Sequence, residues 1–93
     1  MPGPILRNLV VKYFGMPDAT EGSVNEPRER EEHGFHFNEK WTYRRPRRDP
    51  AGAVERVIYW RRYDFVGSMI RSATGGEWQK DDNLPAALTG AAA

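Results

Sequence analysis

The 93-residue chain contains no cysteine. That excludes disulfide staples and thiolate metal sites and is compatible with a reducing compartment. No run approaches the ~20 apolar residues of a membrane-spanning helix. The N-terminus lacks a basic segment followed by a long apolar one, so a secretory signal is not expected. The expected setting is intracellular, in cytoplasm or an organelle matrix, with the chain soluble. There is no glycine-rich phosphate loop, because Gly75-Gly76 reads as the end of an element rather than the start of a helix. Ser23, Ser68 and Ser72 lie in no nucleophile elbow. His33 and His36, behind Glu31 and Glu32 in EEHGFH, have zinc-ligand chemistry but poor spacing for it. No metal, cofactor or catalytic residue is therefore expected, and the chain reads as a non-enzyme.

Large net charge is also absent, the formal value being +1. The distribution is uneven, however. Residues 18 to 32 hold six carboxylates against Arg28 and Arg30, a net of −4. Residues 40 to 48 hold five cations and no anion. Eleven arginines stand against three lysines, and arginine is the cation enriched at interfaces, where its planar fork pairs and stacks.

The chain is organised around Gly34 to Arg45, GFHFNEKWTYRR. By alternation Phe35, Phe37, Trp41 and Tyr43 share one face and His36, Asn38, Lys40, Thr42 and Arg44 the other, the pattern of a half-buried strand. Pro46 stops its ladder. Asp49-Pro50 resembles a helix start, an N-cap followed by proline at the first position. On that reading Asp49→Ala costs ~1 kcal/mol. Wound at a helical period, Ile58, Tyr59, Tyr63, Phe65, Val66, Met69, Ile70 and Ala73 share one arc, and Arg56, Arg61, Asp64, Ser68 and Arg71 the opposite one. The competing reading, a hairpin of residues 54–63 with 35–45, suffers from poor alternation. Residues 1–15 read as a short helix from Pro4 to Gly15. Residues 16–33 have no apolar period and read as a long charged loop or arm. Residues 81–93 read as a disordered tail.

The expected fold is thus α+β: a single small domain, 1–80, with a short N-terminal helix, an aromatic-faced strand at about 35–45 and a longer amphipathic helix at about 50–74. Eleven aromatic residues are more than one strand and one long helix are expected to cover, and a lone strand leaves its backbone groups unpaired. The sequence therefore points to an accessory or interaction subunit of a larger protein assembly, as a hetero- or homo-oligomer. Its expected partner surface is Trp41, Tyr43, Arg44, Arg45, Arg47, Arg48, Trp60 and Arg61. The alternative is a small RNA- or DNA-binding module using the same residues on phosphates and bases. A His-dependent metal site is the remote third reading.

Overall fold

The structure, a computed structural model, describes residues 3–46, 48–72 and 76–92. Arg47, Ala73 and Gly75, named above, lie outside the described residues. The fold is mostly β. In chain order the elements are α1 (Gly3–Phe14), β1 (Ala19–Gly22), β2 (Arg30–Glu32), β3 (Phe35–Phe37), β4 (Glu39–Arg44), β5 (Ala53–Arg61), β6 (Asp64–Ser72), β7 (Trp78–Lys80) and α2 (Leu84–Ala92). Five strands form one antiparallel sheet in the order β1-β4-β5-β6-β7, and β2 pairs with β3 separately. Among the described residues no helix is long and apolar enough to cross a membrane.

The expected helix over 50–74 is overturned. Its residues form the hairpin β5–β6, paired from Ala53↔Ser72 to Arg61↔Asp64. Two features concealed it. First, the hairpin is covered on both faces, so Val57, Ile58, Tyr59 and Trp60 are all buried in succession; a strand buried on both sides loses its polar alternation. Second, its tight turn carries no Gly, Asn or Asp at the left-handed position, which is filled by Arg62 at φ 60°. Such turns usually announce themselves by those residues. Arg62 is held there through its guanidinium, which donates to the carbonyls of Val24 and Glu26.

The single strand over 35–45 is two strands. The chain bends at Asn38, whose amide donates to the carbonyls of Glu26 and Arg28 and whose backbone N–H donates to Trp60 O. The bend sends the four rings of the aromatic face to opposite sides of the sheet. Trp41 and Tyr43 join Val10, Ile58, Trp60, Leu84 and Leu88 beneath α1 and α2. Phe35 and Phe37 fold over the other face with Val57, Tyr59 and Met69.

The arm and the tail are also more ordered than composition suggests. Part of 16–33 forms β1, the sheet edge beside β4, and β2, which turns into β3 through His33 (φ 54°) and Gly34 (φ 86°). The tail contains α2, where Leu84 and Leu88, one turn apart, are fully buried. The short N-terminal helix sits where it was expected: α1 ends at Phe14, and Gly15, with φ of 85° and its N–H donating to Val11 O (2.7 Å), closes it.

Gly67 is where the second layer seats. A Cβ there would meet the Phe35 ring. Gly67→Ala is expected to push β3 off the sheet at a cost of about 1–3 kcal/mol. Urea denaturation of the variant measures this, and a neutral result would show that Phe35 has room to move.

Candidate functional site

Several cations in this fold are already paired with carboxylates. Arg7 pairs with Glu39 at 2.8 Å, Arg30 with Glu21 at 3.1 Å, Lys40 with Glu32 at 3.0 Å, Arg61 with Glu29 at 3.5 Å and Arg71 with Glu55 at 2.6 Å. Four of these pairs are set by the layering. The acidic arm lies along β1, β2 and the hairpin turn, so Glu21, Glu29 and Glu32 are spent there, and Glu55 sits across the β5–β6 ladder from Arg71. Among the described residues the side chains of Arg44, Arg45 and Arg48 have no carboxylate partner, and neither do those of Lys12, Arg28, Arg62 and Lys80, but only the first three line one cleft.

These three arginines gather where β4 ends. Arg44 is its last residue and is exposed; its N–H donates to Asp18 Oδ2 at 2.6 Å. Arg45 takes the left-handed backbone, φ 53°, and its N–H donates to Val54 O at 2.8 Å, which turns the chain toward β5. Arg48 lies over the Tyr13 ring, 5.4 Å from its centre. Together with Tyr13, Phe14, Met16, Asp18, Tyr43 and Pro46 they line a cleft of ≈ 490 Å³.

The cleft is built on fixed parts. Tyr43 is 3% exposed and its hydroxyl donates to Gly15 O at 2.8 Å. Burial, reinforced by the nearby Asp18 charge, raises the Tyr43 phenol far above its ordinary pKa, so it stays neutral. Phe14 packs on Tyr43 at 5.1 Å between ring centres.

The loop that carries Arg45 and Arg48 is anchored from beneath by a buried ion cluster. Asp49 is not a helix cap. Its carboxylate takes two bonds from Arg56, Nε at 2.6 Å and Nη2 at 2.8 Å, and accepts the N–H groups of Ala51 and Ala53. Arg56, wholly buried, also pairs with Asp81 at 2.9 Å and donates to Ser68 Oγ at 2.9 Å. Burial alone would raise the Asp49 pKa, but the bonds and charge of Arg56, with the Ala51 and Ala53 N–H groups, outweigh it and hold the carboxylate below its usual range. Burial likewise opposes the Arg56 charge, and Asp49 and Asp81 override it to raise its pKa.

Of the residues singled out from sequence, Tyr43, Arg44, Arg45 and Arg48 thus come together on one cleft. Trp41 and Trp60 do not. They are 4% and 0% exposed within the chain, with Trp41 Nε1 donating to Glu39 at 2.8 Å. Arg61 stands at the far end of β5, beside Glu29. His33 sits in the β2–β3 turn and His36 faces Glu29 at 3.6 Å; among the described residues no group of three metal-ligating side chains assembles.

Sequence reasoning missed Tyr13, Phe14, Met16 and Asp18 as cleft walls, because only the packing of α1 against the end of β4 brings them there. It also missed the Asp49–Arg56–Asp81 cluster. One signal was present: Arg56 directly abuts the apolar run from Val57 to Trp60.

No family model, no curated protein and no solved structure matches this chain.

Proposed function

We propose that the chain is a non-catalytic binding module, an accessory component that engages an anionic partner through Arg44, Arg45 and Arg48. The observation that carries this reading is that Arg44, Arg45 and Arg48, whose guanidinium groups have no carboxylate partner among the described residues, gather on the rim of one cleft. A cluster of like charges raises the local potential and steers an oppositely charged partner toward it. The support differs from the one composition suggested. The aromatic rings find cover inside the chain, and among the described residues the exposed large apolar side chains are Met16 (74%) and Tyr63 (54%). An apolar interface therefore has little to work with, whereas the arginine edge has both charge and a concave seat.

The test is charge reversal at two exposed positions, Arg44→Glu with Arg45→Glu. The parent is expected to be retained on immobilised heparin and released by salt. The double variant should bind at least ~10-fold more weakly at low salt, with an unchanged melting temperature. Equal retention of variant and parent would remove the reading.

A further inference from the structure

A second cleft of ≈ 470 Å³ adjoins the first. It is lined by Arg45, Pro46, Ala53, Val54 and Arg71. The two share Arg45 and Pro46, so Arg45 stands on the ridge between them. From Arg48 and Arg44 across Arg45 to Arg71, cations run around one end of the sheet. Arg71 is already held by Glu55 and contributes least to a free field.

We infer that the anionic partner is single-stranded nucleic acid, with its phosphates on Arg44, Arg45 and Arg48 and one base in the cleft walled by Tyr13, Phe14 and Tyr43. This rests on the proposed function and names its ligand. Three features select that chemistry. The three cations are spread between positions 44 and 48 and over a ridge, which suits a repeating polyanion better than one compact ion. The first cleft is walled by the partly buried rings of Tyr13 and Phe14 against the buried Tyr43, with the Arg48 guanidinium on Tyr13. Aromatic and guanidinium faces stack on bases, a sequence-tolerant contact open only to unpaired strands. A duplex hides its base faces and cannot offer one to a cleft of this size.

The third feature is Asp18. Its carboxylate lies on the same wall, so a second carboxylate pushed into the cleft would be repelled. A neutral base would not, and a ring N–H or exocyclic amine on its edge could donate to the oxygen lone pairs that Arg44 N–H leaves free. The cleft thus calls for a ligand that is neutral and planar inside and anionic at its rim. An acidic peptide has the rim charge but not the flat, neutral insert.

Fluorescence anisotropy with a labelled oligothymidylate of about ten nucleotides, within the range one small single-strand site covers, tests this. Saturable binding is expected, with a slope of log K against log salt near about −2 for three phosphates on a single strand. Duplex of the same length should bind more weakly. Arg44→Glu with Arg45→Glu should weaken oligonucleotide binding at least ~10-fold. Tyr13→Leu keeps apolar volume but loses the ring, and should weaken oligonucleotide binding ~5-fold or more, a larger loss than it causes in heparin retention. No oligonucleotide binding, with heparin or polyglutamate still bound through Arg44 and Arg45, would overturn the nucleic-acid inference and leave the anion-binding function standing. No binding to any polyanion would overturn both. Oligonucleotide binding that ignores Tyr13→Leu and equals that of duplex would overturn the base-in-cleft assignment.

Discussion

Replacing Asp49 with alanine is expected to destabilise the folded chain by about 3–5 kcal/mol. A helix cap would lose only ~1 kcal/mol. The difference lies in what is left behind. Arg56 is fully buried in the sheet and donates two bonds to this one carboxylate. Without Asp49 its charge rests on Asp81 and Ser68 alone, in a place where water cannot replace the lost partner. A domain of this size has only ~5–15 kcal/mol of net stability, so the loss is a large share of the whole. Urea denaturation at neutral pH measures it. A loss near that of a surface cap would mean that water reaches Arg56.

The same pair predicts the acid limb of the stability curve. The folded-state pKa of Asp49 is lowered. Its contribution is therefore fully present above the unfolded value of ~3.9 and is lost as pH falls through the lower folded value. The parent should lose stability steeply below about pH 4, and Asp49→Asn should flatten that part of the curve. The anchor also links stability to the cleft, because Asp49 holds the Ala51 and Ala53 N–H groups at the end of the loop that carries Arg45 and Arg48. Asp49→Asn, where it remains folded, is expected to weaken polyanion binding although it removes a negative charge.

Trp60→Ala is expected to cost about 3–5 kcal/mol and to unfold much of the population, rather than leave a folded monomer that fails to assemble. Read on a helical wheel, Trp60 projects from the polar side and belongs to a partner surface. In the sheet it is fully buried, with Trp41 at 5.0 Å and Phe65 at 6.0 Å between ring centres. Removing it leaves a cavity between β5 and the helices. Its indole Nε1 is buried without a hydrogen-bond partner among the described residues, so Trp60→Phe removes this donor along with part of the volume and should cost clearly less than alanine. Far-UV circular dichroism and thermal melting separate the outcomes. A well-folded Trp60→Ala protein with parental melting would restore the surface reading.

The N-terminal helix was legible because its signals are local: proline at the start, glycine in the left-handed region at the end. The strand Glu39–Arg44 was legible as strand because it alternates. The aromatic face was not, since one bend at Asn38 divides it, and that bend is held by carbonyls of Glu26 and Arg28 from the arm. The hairpin β5–β6 was misread for a comparable reason. Two covering layers bury both of its faces, and burial on both faces erases the period that distinguishes strand from helix. The cleft was half legible. Arg44, Arg45 and Arg48 stand out as a charge cluster next to Tyr43, but whether a charge is free depends on which carboxylates reach it.

By itself the sequence determined what this chain has to work with: no thiols, a near-neutral charge split into an acidic stretch and a basic one, eleven aromatic rings, and local stop and start signals around α1. These follow from residue chemistry and from contacts a few positions apart. The tertiary structure decided how those resources are spent. It folded the rings inward on two sides of one sheet, drew Arg56 between Asp49 and Asp81 from separate loops, and laid the acidic arm where it satisfies Arg30, Lys40 and Arg61 but not the arginines after β4. Pairings of this kind join residues distant in the chain, and their energies depend on burial that no local pattern encodes.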